Sequence, residues 1–469
     1  MWAKRLSHWP LVISTSYAVL LLSIDGLSVL DYHASLALAA VVGLCCAHLT
    51  IRSLRGRWPR SPRTVFDVWP WLYTATAPWV VLWAASATIP NCNLSTGLLF
   101  YGLGPLMSAM VGTSMAIVAC SISLHYAIWT FYALVLLSCV RPLVHFMGHP
   151  QVFAYHGLAG YIAGAPYEDA VAPGWTYVSF RLLDLALWLA TLAALKATTA
   201  TRRRLASLVL LTAIAVACLR APLDGWQVFT NDVEIAVPIK VAVKVPGAQS
   251  SSTDAPALDA IVLAKSADLV LHMPAGKDWQ HSRAWISRDA MVRYVELSDF
   301  FGSAPDRPIH LYLYPDAETK QRLMGARRVD MAKPWLYQVH MTMPVYGESV
   351  LKHEMAHVFA AQYGPWPFAV PMRFGVVPDP LLIEGVAVAA QWPVVAGLDP
   401  HRLSRAMRHL QLAPPLQRLF STSGFVSESA TRSYIVAGSF IRWMVDRHGM
   451  DCLQRWYRSG SVRHCTDVP

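Results

Sequence analysis

The stretch Ser349-Val350-Leu351-Lys352-His353-Glu354-Met355-Ala356-His357-Val358-Phe359-Ala360-Ala361-Gln362-Tyr363 decides how the second half of this chain is read. Two histidines four apart fall on one face of a helix and can turn both imidazoles toward one ion. Val350, Leu351, Met355, Val358 and Phe359 supply apolar contacts for a core, and Glu354 stands beside the histidines, where a general base is needed. The alternative is a His-Glu-His helix surface that binds nothing. A third ligand separates the two readings, because a catalytic zinc site takes three protein ligands and keeps one position for water.

The next acidic candidate downstream is Glu384, in Asp379-Pro380-Leu381-Leu382-Ile383-Glu384-Gly385-Val386-Ala387-Val388-Ala389-Ala390-Gln391. Asp379 can cap this helix and Pro380 suits its first turn. A carboxylate one turn into an otherwise apolar helix is costly to bury unless a cation or hydrogen bonds compensate. A metal ion would do so, as would the dipole and free N–H groups of the helix N-terminus. Asp379, His401 and His409 are the competing ligands; the two histidines fall in a strongly basic segment that reads as surface.

Outward from the motif, the first half of the chain is a different material. The 469 residues are 55% hydrophobic and 14% charged, too apolar for one ordinary soluble fold. Seven mostly apolar windows precede residue 222, at about 10–30, 34–51, 68–89, 97–121, 124–146, 176–197 and 205–221, each near the length a helix needs to cross a bilayer. The fourth and fifth are nearly continuous, which leaves six as the alternative count. The formal charge of +10 is gathered in short clusters without interleaved aromatics, so it points to membrane topology and not to nucleic acid. With the N-terminus inside and seven spans, Lys4 and Arg5, the Arg52–Arg63 cluster, and Lys196 with Arg202, Arg203 and Arg204 all fall in the cytoplasm. The outer loops then hold no Lys or Arg, and the C-terminal part lies outside the cytoplasm. The first apolar run continues past Leu20 without a small-residue cleavage site, so it reads as a retained helix and not a signal peptide.

The domain boundaries expected from this are a transmembrane domain at 1–221, a linker and first strand at 222–257, and a folded domain at 258–469. Val237 to Val245 alternates like a strand. Further strands are expected at 268–273, 308–314 and 335–343, with helices at 286–301 and 316–324 and helices dominating from 348. Mixed sheet first and helices after imply an α+β domain.

His353-Glu354-x-x-His357 followed by Glu384-Gly385-x-Ala387 on a second helix resembles the gluzincin peptidases, most closely the peptidase MA-like domains of bacterial membrane and secreted proteins. Tyr434 through Gly449 is similar to the helix that follows the ligand glutamate there. The resemblance spans roughly 260–460. It implies a zincin-like fold, Zn2+ on His353, His357 and Glu384, and Glu354 as the base. It also implies a peptide or protein substrate held by strand addition along 335–343, in a bacterial inner membrane protein whose C-terminal domain is periplasmic or otherwise extracytoplasmic. One departure is the 26 residues between His357 and Glu384, including a Pro- and aromatic-rich insert from Gly364 to Pro378 that can shape or restrict the cleft.

Tyr434 is the candidate oxyanion donor and His340 a second candidate; for either the alternative is a packed core residue. Cys452 and Cys465 can close a disulfide in an oxidising compartment, the remaining cysteines lying mostly in apolar spans. His145, His149 and His156, with Glu168 and Asp169, form either a second polar site or a solvated loop. Two rival functions remain: a polytopic protein whose peptidase-like domain binds without cleaving, and a transporter or sensor built on the helices. Few intramembrane charges, chiefly Asp25, Asp184 and Arg141, argue against the latter.

Overall fold

The computed structural model describes residues 8–24, 27–57, 68–89, 94–163, 171, 173–196, 232–237, 240–242, 261–263, 269–274, 280–343, 348–375 and 377–462. The chain divides into two units, Met1–Val228 with Leu323–Gly325, and Phe229–Arg322 with Ala326–Pro469.

The first unit holds α1 (Trp9–Leu21), α2 (Tyr32–Arg57), α3 (Val68–Ala85), α4 (Leu94–Ile122), α5 (Ala127–Gly148) and α6 (Trp175–Lys196). They fall on six of the apolar windows; the window at 205–221 lies outside the described residues. Four of them, at Tyr32–Arg55, Leu94–Ile122, Ala127–Gly148 and Trp175–Ala193, are long and apolar enough to cross a membrane. The fourth and fifth windows are separate helices, because the chain turns extended at Ser123. Small residues bring α2 and α4 together: a Cβ on Gly112 would lie 2.2 Å from the Gly43 carbonyl oxygen, so only glycine permits this crossing.

Between α5 and α6 a hairpin, β1 (Ala154–His156) and β2 (Gly160–Ile162), replaces the solvated loop that was one reading of this stretch. His156 is buried, and its Nδ1 accepts from the Leu158 and Ala159 N–H groups at 3.2 and 2.9 Å, which leaves Nε2 to donate to Ser138 Oγ at 3.0 Å. Arg181, paired with Asp184 at 3.0 Å, donates to the Gly157 carbonyl at 2.7 Å. Side chains thus satisfy hairpin backbone groups that lie away from water. His145 stacks on His149, whereas Glu168 and Asp169 lie outside the described residues.

In the second unit a five-stranded sheet runs in the order β3 (Asp232–Val237), β6 (Leu269–Pro274), β7 (Ile309–Tyr314), β9 (Gln338–Thr342), β8 (Met331–Lys333). The central three are parallel, and the two edges pair antiparallel. The short strands β4 (Lys240–Ala242) and β5 (Ile261–Leu263) pair with each other, so the strand expected over Val237–Val245 is divided between β3 and β4. Alternation sends Leu269, Leu271, Leu311, Leu313, Val339 and Met341 into one core with Tyr294 and Leu297 of α7 (Gln280–Phe301) and Leu351, Met355 and Val358 of α9 (Glu348–Ala360). The opposite face is polar and aromatic: Tyr312 stacks between His272 at 4.2 Å and His340 at 4.9 Å.

One expectation fails here, and His340 takes the packed one of its two readings. Residues 335–343 are not one strand at the cleft, since Pro334–Leu336 form a 3-10 turn, Tyr337 is left-handed at φ 55°, and pairing starts at Gln338. That strand, β9, has β7 on one side and β8 on the other, so it offers no edge of its own for strand addition. His340 sits on the face opposite Val339 and Met341, accepting or donating at Nδ1 with Tyr314 Oη at 3.0 Å, and it is turned away from α9.

Helices complete the unit: α8 (Ala317–Met324) lies between β7 and β8, and α9 is followed by a small hairpin, β10 (Met372–Arg373) and β11 (Val377–Pro378). Then come α10 (Pro380–Gln391), α11 (Pro400–His409), α12 (Leu416–Leu419), α13 (Thr422–Ser427), α14 (Ala430–His448) and α15 (Met450–Ser459). Cys452 is disulfide-bonded; its expected partner, Cys465, lies outside the described residues.

Candidate metal centre

Helix α9 buries Leu351, Met355, Val358 and Phe359 in the core, and the same 3.6-residue repeat turns His353 and His357 to another face. Helix α10 meets them. Gly438 of α14 lets α10 and α14 approach closely, since a Cβ there would lie 2.2 Å from Val388 Cγ1. This crossing sets Glu384 of α10 beside Tyr434, one turn before Gly438.

Glu384 Oε2 lies 3.3 Å from His353 Nε2 and 3.7 Å from His357 Nε2. The three donor atoms all fall within 4.8 Å of one another, a group that could hold a metal ion. Tetrahedral bonds of about 2.1 Å place neighbouring ligand atoms about 3.4 Å apart, which matches both pairs. The side chains of His353, His357 and Glu384 remain 14, 10 and 21% exposed, so the cluster reaches solvent despite the insert. Among the described residues no other group of three such side chains is gathered this way.

The remaining neighbours orient the cluster. His353 Nδ1 lies 3.1 Å from Gln391 Oε1, and the Tyr434 ring lies parallel to the His353 ring, 6.2 Å away and tilted 11°. The Tyr434 hydroxyl hydrogen-bonds the Glu384 carboxylate. Gln391 was not singled out in the sequence, although it sits seven residues beyond Glu384, a spacing that returns to the same helix face.

Burial opposes charge throughout; neighbours override it at His353 and Glu384, and burial prevails at His357 and Glu354. Burial would lower His353, yet the Glu384 hydrogen bond and the Glu354 and Glu384 charges raise it to about 9. Burial lowers His357 to about 4. Burial would raise Glu384, but the His353 hydrogen bond, the His357 charge and the Tyr434 hydroxyl hold it below the usual carboxylate range. Glu354 is pushed up to about 8, by burial first and then by the charges of Glu384 and Asp330. An acid whose proton affinity lies near neutrality, beside a cluster that could hold a metal ion, is suited to passing a proton.

The competing ligands are placed elsewhere. Asp379 pairs with Arg373 at 2.8 Å, His401 contacts Ser439 Oγ at 2.8 Å, and His409 is exposed. In the insert, Phe368 packs edge-on against Trp335 at 5.5 Å, while Trp366 and Phe374 project into solvent. No family model, curated protein or solved structure matches this chain.

Proposed function

We propose that this chain is a membrane-anchored zinc metallopeptidase that hydrolyses peptide bonds of peptides or proteins outside the cytoplasm. The observation that carries the reading is the spacing of His353 Nε2, His357 Nε2 and Glu384 Oε2 around one point, with Glu354 beside them. Two imidazoles and one carboxylate are a donor set that zinc accepts in catalytic sites. When bound, zinc supplies the Lewis acidity that polarises a carbonyl and acidifies a water.

In this reading Glu354 takes the proton of the attacking water and returns it to the leaving amine, for which its raised affinity for protons prepares it. Tyr434, held at Glu384, supplies a hydroxyl for a developing oxyanion. Gln391 keeps the Nδ1 proton on His353 and so leaves Nε2 for the metal. The disulfide at Cys452 supports an oxidising compartment, as the basic-cluster topology does. The bacterial inner membrane, the zincin fold and the seven-span count belong to this proposal too.

The test is metal content and peptidase activity of the full chain in detergent or nanodiscs. Wild type is expected to hold one zinc and His353→Ala none; Glu354→Gln is expected to keep zinc and lose hydrolysis by at least about a hundredfold. Zinc without hydrolysis in wild type would leave a metal-dependent binding protein, and no zinc at all would overturn the reading.

A further inference from the structure

Between Pro400 and Gly460 the chain carries nine arginines, no lysine and three carboxylates. Two of those carboxylates are engaged locally: Glu428 with Arg418 at 2.9 Å and Arg432 at 3.9 Å, and Asp446 with Arg442 at 3.2 Å. Of the other six arginines, Arg447, Arg455 and Arg458 are exposed on α14 and α15, and Arg402, Arg405 and Arg408 stand together on α11. This helix lies on α14 through His401, whose Nδ1 is 2.8 Å from Ser439 Oγ, and through Ser404, whose hydroxyl donates to the Ile435 carbonyl. That contact turns Arg402, Arg405, Arg408 and His409 outward, all exposed, on a helix with no acidic residue. Arg402 approaches Asp399 at 3.8 Å, and neither Arg405 nor Arg408 has a carboxylate within 4 Å among the described residues. At the end of the same helix Leu410 and Leu412 are 68 and 48% exposed.

An outward row of guanidinium groups ending in exposed leucines combines two chemistries. Guanidinium forks match phosphate oxygens, and leucines gain by leaving water for the acyl boundary. The same chain has helices long and apolar enough to cross a membrane, so a lipid surface is present wherever it resides. We infer that the outer face of α11, with Leu410 and Leu412, docks on the anionic phosphodiester headgroups of a bilayer. An acidic polypeptide would satisfy the arginines but would leave the two leucines unexplained.

The experiment is hydrogen exchange read by mass spectrometry on the full chain in nanodiscs, of phosphatidylcholine alone or with about a third phosphatidylglycerol. Amides of 405–413 are expected to exchange at least about fivefold more slowly with phosphatidylglycerol, and the difference is expected to vanish in Arg405→Glu/Arg408→Glu and at high salt. Amides of α14 serve as the folding control; should the charge reversal disturb them, Arg405→Gln/Arg408→Gln takes its place. Equal exchange in both lipids would overturn the inference. So would protection raised in phosphatidylcholine by a polyglutamate peptide and absent with phosphatidylglycerol, which would assign the surface to an acidic polypeptide.

Discussion

Gln391 Oε1 sits 3.1 Å from His353 Nδ1, joining the last turn of α10 to the helix that carries the paired histidines. The contact defines which imidazole nitrogen stays protonated. A ligand histidine held by an outer acceptor binds metal more tightly, and loss of such a partner costs about 10–100-fold in affinity.

Gln391→Leu is therefore expected to weaken zinc binding by about that factor, while Gln391→Glu, which keeps an acceptor, retains it. Competition with a chelating dye on the full chain measures both. Equal zinc affinity in wild type and Gln391→Leu would remove Gln391 from the site.

Zinc uptake should also depend on pH in a stated direction. In the metal-free site His353 stays protonated up to about 9, whereas His357 is neutral above about 4. The ion must displace the His353 proton, so apparent affinity should rise about tenfold per unit between about pH 6 and 8. A flat profile across that range would contradict this proton inventory.

Gly438→Ala places a methyl group 2.2 Å from Val388 Cγ1 and must push α14 away from α10. Overpacking of this kind costs about 1–3 kcal/mol. Thermal melting is expected to fall accordingly, and adding Val388→Ala should recover part of the loss. Because Glu384 and Tyr434 lie on these helices, zinc affinity should fall with it; unchanged melting and affinity would show that the crossing tolerates the methyl.

Lys333 lies buried on edge strand β8, and burial lowers it from its ordinary 10.5 to about 7. Between those values the unfolded chain binds a proton that the folded one does not, so this residue makes folding more favourable as pH rises through the window. Lys333→Met removes the burden and is expected to melt higher than wild type at about pH 7, with the gap closing toward about pH 10. Melting curves at several pH values decide it; a constant gap would rule out the buried amine as the source.

Much of the fold follows from local patterning. The apolar face of β6 and β7 and the helical repeat around His353 are periodic, and periodicity survives in any environment that buries one face. Edge strand β8 carried no such signal: Met331-Ala332-Lys333 is too short to show a period, and the left-handed Tyr337 interrupts the run that made 335–343 resemble one strand. For a related reason His156 could be read either as part of a polar site or as solvated loop, since the burial of a polar residue between helices shows only once the helices that cover it are assembled.

By itself the sequence determined the chemistry available: apolar helices of membrane-spanning length, two histidines on one helical face, Glu354 between them, and Glu384 on a second helix. Tertiary structure alone decided which donors meet. Glu384 comes within 3.3 and 3.7 Å of the two imidazoles while Asp379, His401 and His409 go elsewhere, and Gln391 and Tyr434 close around the cluster as His340 turns away. The physical reason is that spacing along one helix or strand is set by local backbone geometry, whereas distance between elements depends on close approaches such as Gly438 against Val388, made by residues far apart in the chain.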